Sequence, residues 1–333
     1  MKQFDLPIVY AAKHKDESIR MNSRSGGVFT AVSDYVLEHD GAVYGCVLTD
    51  RFEAKHIRAT TKEDRDRMRG SKYIQSESAG CFNQVETDIM SGKPVLFTGT
   101  SCQVQSLIHY LRVKKVPETN MENLLSMDIL CHGVPSVRVW KDYICDIEKK
   151  HSGKCIDADF RNKKDYGWKR HIESLKLKGH LTTRQYNGDL FKRMFFSHEI
   201  LRPACYECPY KTVSHGSDIT IGDYWGIEKA APGFNDDRGV SLVLINNEHG
   251  QQMFDRIADQ LKLVSTKIED SMQPALQKPF ARPERRDRFW EDYNQFGFEY
   301  VADRYFGENF VKREKKRIKQ TLYRLRFKRQ LKK

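Results

Sequence analysis

Two cysteines three residues apart, Cys205 and Cys208 in CYECPY, can bring both sulfurs to one side of a turn and share one metal centre. The same spacing also serves redox dithiols, but those normally open a helix in a thioredoxin-type unit. Here the pair lies in loop-like sequence between Pro203 and Pro209. Two more thiols follow apolar runs: Cys102 after PVLFTGT and Cys131 after NLLSMDIL. Parallel strands bring their C-terminal ends to one edge of a sheet, where α/β proteins build their sites. Cys102 and Cys131 are therefore expected to face one space, closed over by the loop that carries Cys205 and Cys208. Four thiolates suit Zn²⁺ or a [4Fe–4S] cluster, and ligand type alone does not choose between them. Of the other cysteines, Cys46 in AVYGCVL and Cys145 in VWKDYICDIEKK read as core thiols. Cys81 has no partner at ligand spacing, and Cys155 has only His151.

A second chemistry is written in glycines and hydroxyls. SRSGGVFTAV sets Ser25, Gly26 and Gly27 before a helix pattern, where free N–H groups and the helix dipole favour phosphate. Plain capping, with Ser as N-cap and Gly for the turn, accounts for the same residues. The GTS before Cys102 repeats the arrangement. Neither stretch is a Walker loop or a G-x-G-x-x-G fingerprint. Lys72 in GSKYIQS is a phosphate partner or a solvated lysine. His132 is a proton donor or an edge histidine. In GDYWG, Asp223 is a pocket residue, and Trp225 reads mainly as packing.

The elements that must position these residues alternate. A strand in LPIVYAA is followed by a helix with its stripe at Val28, Phe29, Val32 and Val36. The strands AVYGCVLTD and AKHIRATT come next, then a helix in TKEDRDRMRGSKYIQS that ends near Gly70 and another over 82–91. KPVLFTGT and NLLSMDIL are apolar runs of parallel-sheet type, with a helix between them. The expected class is mixed α/β with a largely parallel central sheet, followed by an antiparallel, cysteine-containing portion beyond residue 150. We divide the chain into 1–90, an N-terminal α/β region; 91–265, the region with the four cysteines; 266–310, an aromatic-rich helical extension; and 311–333, a basic tail.

With 333 residues the chain can bury a core without disulfides. No apolar run reaches membrane-spanning length and no signal-peptide stretch opens it, so a cytoplasmic protein is expected. The net charge of +12 is local: residues 311–333 hold twelve Lys and Arg against one Glu. In that segment Val311, Ile318, Leu322 and Leu325 recur at helical spacing. This pattern fits a helix lying on an anionic membrane at its inner face, an acidic partner, or a solvated tail. Nucleic acid is a weaker fit, because phosphate does not need the apolar stripe.

SRSGGVFTAV, GSKYIQS, VLFTGTSCQVQSL, DILCHGVPS, FRNKKDYGW, CYECPY and SDITIGDYWGI occur in this order over roughly residues 8–260. Together they resemble the coenzyme F420 hydrogenase/dehydrogenase beta-subunit family, whose members are iron–sulfur flavoproteins. The resemblance implies a [4Fe–4S] cluster on Cys102, Cys131, Cys205 and Cys208. It implies FAD against Ser25, Gly26, Gly27 and Thr30, and against Lys72, Thr98 and Thr100, with His132 and Asp223 as catalytic candidates. Electrons would pass between the cluster, the flavin and a substrate or coenzyme F420. Many relatives open with a C-x-x-C-x-x-C-x-x-x-C-P ferredoxin-like module that this sequence lacks, so a separate ferredoxin-like donor is expected. The usual GTPCQ reads GTSCQ here, with Ser101 loosening the turn. Shortened bacterial relatives accompany surface-polysaccharide synthesis. The competing class is a zinc-stapled, non-catalytic binding protein that docks on an acidic partner or membrane.

Overall fold

The computed structural model describes residues 3–307 and 310–332, without the side chains of 310–313; the Val311 side chain therefore lies outside the described residues. The chain forms two compact units. The first takes residues 3–72, Ser76–His132 and Cys208–Pro279; the second takes Tyr73–Gln75, Gly133–Glu207 and the chain from Phe280 onward.

The first unit is built on a nine-stranded sheet. Its strands are β1 (Gln3–His14), β2 (Ala42–Leu48), β3 (Ala54–Ala59), β4 (Ser76–Glu77), β5 (Val95–Thr100), β6 (Leu124–Ile129), β10 (Ile219–Asp223), β11 (Ser241–Asn247) and β12 (Leu261–Thr266). They lie in the order β12-β1-β11-β10-β6-β5-β2-β3-β4. The centre, β10-β6-β5-β2, is parallel. The antiparallel pairs β1–β11, β1–β12, β10–β11 and β2–β3 flank it. The mixed α/β class is as the sequence led us to expect.

The apolar runs of β5 and β6 follow from burial on both faces. On one face Val28, Val32, Leu96, Met127 and Ile245 pack with the helices Val28–Glu38 and Glu248–Ile257. On the other, Tyr44, Phe97, Val85 and Ile89 meet Val104, Leu107 and Leu111 of the helix Ser101–Val113. Those last three are fully buried, and each contributes about 1.5–3 kcal/mol by leaving water. They fix the helix that begins beside Cys102.

The second unit carries a three-stranded antiparallel sheet, β7 (Lys154–Asp159), β8 (Glu173–Lys178) and β9 (Thr183–Gly188). The sequence pattern past residue 150 had called for this. Its core is aromatic: Trp140 packs tilted against Phe160 and edge-on to Phe191, and Tyr143 stacks on Phe191. Cys145 is not the core thiol that the helical pattern suggested. It is exposed, because Tyr143, Ile144 and Ile147 take the inward face of Val137–His151. Cys46 is only half-buried in β2. The basic segment is not a loose tail either: Phe310–Gln330 is a helix. Its Arg324 and Lys328 reach Asp165 at 3.2 and 3.8 Å.

Candidate functional site

The register of the parallel strands aligns the site. Thr100 pairs with Ile129, and Ile129 pairs with Ile221. Two residues beyond each of these come Cys102, in the first turn of the following helix, Cys131, just past the end of β6, and Asp223, the last residue of β10, all at one sheet edge. One strand over, Asp223 pairs with Ser241 and Ser241 with Ala12. That row brings in the turn before the helix Val28–Glu38. Gly26 N–H donates to Ser241 Oγ at 2.9 Å, Ser25 Oγ donates to the Val240 carbonyl at 2.6 Å, and His14 N–H donates to the Gly26 carbonyl at 2.7 Å. Arg24 Nε stands 4.0 Å from Asp223 Oδ1. The glycine turn and Asp223 are therefore neighbours, as are the strand ends that carry Cys102 and Cys131.

Cys102 is exposed in the first turn of Ser101–Val113, with Thr100 Oγ1 3.1 Å from its sulfur. Here ordinary capping holds: Thr100 N–H donates to Gln103 Oε1 at 3.0 Å, and Gln103 Nε2 donates to Ser76 Oγ at 2.8 Å. The half-buried Cys131 and His132 are tied from behind by buried Lys211, whose ammonium donates to both of their carbonyls at 2.9 Å. Cys208 and Cys102 both act on Tyr210. Its phenol pKa is raised, first by burial and then by these two thiols. Cys205 belongs to the second unit, within the turn Pro203–Glu207, and accepts the Val134 N–H at 3.4 Å. The border between the units falls between Glu207 and Cys208.

Among the described residues, no three of the His, Cys, Asp and Glu side chains stand as a ready metal set. The donor chemistry nevertheless separates the cysteines. Burial pushes the Cys81 thiol up to about 12 and Cys155 up to about 11, and it raises Cys46 as well. Such groups stay protonated and make poor ligands. Cys102 is exposed, and Cys131, Cys205 and Cys208 are half-buried. Accessibility alone does not single them out, because Cys46 is half-buried too and Cys145 is exposed.

The glycine turn departs from plain capping. Gly27 is the N-cap of Val28–Glu38, at φ +99°, and no side chain caps it. The Thr30 N–H already donates to the Gly27 carbonyl at 3.0 Å, so the N–H groups of Val28 and Phe29 are the ones an anion could use. Both glycines are also demanded by the fold. A Cβ on Gly26 would stand 2.1 Å from the Ala12 carbonyl oxygen, and one on Gly27 would stand 2.9 Å from His14 Cβ. Three other candidates are engaged within the unit. Thr30 is fully buried and accepts from Arg69 Nε at 3.1 Å. Lys72 donates to the carbonyls of Arg67, Met68 and Arg69 at 2.8–3.1 Å, closing a helical turn. Thr98 Oγ1 donates to the Tyr44 carbonyl at 3.1 Å. Trp225, read as packing, is 40% exposed.

Sequence reasoning missed a buried network beneath Cys102. His215 Nδ1 pairs with Asp128 Oδ2 at 2.7 Å, Ser217 Oγ donates to Asp128 Oδ1 at 2.9 Å, and Ser101 Oγ lies 3.3 Å from His215 Nδ1. Burial opposes a charged His215 ring, but the hydrogen bond and charge of Asp128 outweigh it, so its pKa is raised. The one signal was a polar SHGSD ahead of a strand. Nothing in that string names Asp128 as its partner.

The second unit holds another unforeseen group. Glu173 is buried and accepts the Phe191 N–H at 3.0 Å. Burial, reinforced by the Asp189 charge, pushes its carboxyl up to about 8. Its ordinary value is 4.5, so the native state binds the proton more tightly. Stability is fully present below about 4.5 and falls as pH rises through about 8. Glu173→Gln keeps the acceptor and carries no charge. We expect its stability to match wild type near pH 4.5 and to exceed it by about 5 kcal/mol near pH 9. Urea midpoints at the two pH values check this, and a gap that does not widen would remove the ionisation from the account.

A mixed sheet covered on both faces, with thiols and a glycine turn on the carboxyl edge of its parallel strands, defines an α/β protein with its candidate site at that edge. The chain belongs to the coenzyme F420 hydrogenase/dehydrogenase beta-subunit family. The family's model for the N-terminal part of the beta chain matches residues 9–82, and its model for the C-terminal part matches residues 92–271. Its coarse function is accordingly that of an oxidoreductase component engaged in electron transfer. A chain of the F420-reducing [NiFe] hydrogenase complex from Methanosarcina barkeri is similar in fold. The TM-score is 0.54 at 16% identity, covering 91% of this chain and 94% of that one. No curated protein matches the sequence.

Proposed function

We propose that this chain is an iron–sulfur flavoprotein oxidoreductase. It would move electrons between a [4Fe–4S] cluster, FAD, and a substrate or F420-type deazaflavin. The observation that carries the reading is the alignment of Cys102, Cys131, Asp223 and the Ser25–Gly27 turn along one sheet edge. Cys208 joins them through Tyr210. Cys205 supplies the fourth sulfur by its spacing from Cys208. When bound, the cluster exchanges single electrons and the flavin one or two, which matches one-electron to two-electron chemistry.

The chain's own residues bind and orient. The uncapped start of Val28–Glu38 receives phosphate, and Arg24, beside Asp223, adds a cation to the same turn. Thr100 and Gln103 hold the turn that presents Cys102, and Lys211 holds the Cys131–His132 backbone. His132 is the side chain we assign to proton transfer. Thr30, Lys72 and Thr98 spend hydrogen bonds inside the unit, with Arg69, with the Arg67–Arg69 carbonyls and with the Tyr44 carbonyl. The similarity to a chain of a hydrogenase complex supports work within a larger assembly of several chains.

The test is the colour and content of protein isolated without oxygen. We expect broad visible absorption, flavin bands and about four iron per chain. Colourless protein with stoichiometric zinc would overturn the proposal and leave a zinc-stapled binding protein.

A further inference from the structure

The helix Phe310–Gln330 has two faces with different work. The inward face is docked on its own unit. Tyr323 lies under the Arg170 guanidinium at 3.9 Å, Arg324 and Lys328 pair with Asp165, Lys316 pairs with Asp189, and Phe327 is 3% exposed. On the opposite side Ile318, Leu322 and Leu325 recur at i, i+4 and i+7, which makes one stripe. They are 59%, 49% and 52% exposed. Between Glu314 and Lys332 there are nine basic residues and one acid. Three of the nine are turned to Asp165 and Asp189. The other six, Lys315, Arg317, Lys319, Arg326, Arg329 and Lys332, flank or extend the stripe and are exposed.

We infer that this outer face lies on an anionic lipid bilayer, with the stripe in the interface and the basic rim among the headgroups. The charge pattern selects the occupant. A second copy would set one basic rim against another, which like-charge repulsion opposes. Nucleic acid would use the cations but has no use for three exposed aliphatic side chains. A bilayer with anionic headgroups uses both. No described helix is long and apolar enough to cross a membrane, so this contact lies on the surface. The docked inward face matters too: it holds the helix so that its apolar side is already turned outward, and little folding cost remains to be met on binding.

The experiment is co-sedimentation of the full chain with phosphatidylcholine vesicles, with and without phosphatidylglycerol. It is run at low salt and at about 1 M salt, where the Debye length falls to about 3 Å. Binding is expected only with phosphatidylglycerol, and it should weaken at high salt. Changing Ile318, Leu322 and Leu325 together to Ser keeps every charge and every docked contact. It should lower partitioning roughly tenfold or more, since each buried methylene is worth about 0.8 kcal/mol. Circular dichroism equal to wild type shows that the variant still folds. Unchanged binding by the triple variant would overturn the inference. So would equal binding to neutral vesicles, or self-association of the wild type that the triple variant abolishes.

Discussion

Replacing Cys205 and Cys208 together by Ser is expected to remove most of the iron from protein isolated without oxygen. A thiolate is soft and forms near neutral pH, whereas a serine hydroxyl stays protonated there and is a hard donor. Two of four ligands would be lost, and the remaining pair does not close a cluster site. Cys145→Ser is the control: that thiol is exposed on Val137–His151, and its loss should leave iron unchanged. Cys81→Ser is a second control. Its thiol donates to the Ser78 carbonyl at 3.0 Å and is held neutral by burial. Full iron in the double variant, with circular dichroism unchanged, would end the ligand assignment.

Gly26→Ala is expected to cost about 3 kcal/mol or more of stability, read as a fall in the urea midpoint. The added methyl would meet the Ala12 oxygen at 2.1 Å and the Ser241 nitrogen at 2.7 Å. Both atoms are backbone of the paired strands β1 and β11, so neither can swing aside. Gly70→Ala separates crowding from backbone strain. Gly70 has φ +82° with nothing within 4 Å of a Cβ, so its variant should lose only about 1–2 kcal/mol. Wild-type stability in Gly26→Ala would show that the turn yields, and would return the glycine to ligand approach alone. Loss of flavin in a Gly26 variant therefore says nothing of flavin contact unless the fold is shown to be intact.

The sequence by itself determined the parts whose cause is local. Strand and helix periodicity gave the α/β class, and the apolar runs ending at Thr100 and Leu130 identified the central parallel strands. Motif order gave the family. Alternation past residue 150 gave the small antiparallel sheet. What tertiary structure decided was which side chains spend their hydrogen bonds inside the fold. Lys72 and Thr30 look like ligand residues in a string, but the Arg67–Arg69 carbonyls and Arg69 Nε claim them. Asp128 and His215 are 87 residues apart, and only the parallel pairing of β6 with β10 makes them a buried pair. Cys145 shows the same limit on a helix: an amphipathic pattern fixes an apolar face only to within a residue or so, and small Cys fits either side of that border. The basic segment was legible as an amphipathic helix. Which of its cations meet Asp165 and Asp189, and which face water, depends on a surface the segment does not contain. Long-range electrostatics and packing carry no local period, so no local pattern in the chain announces them.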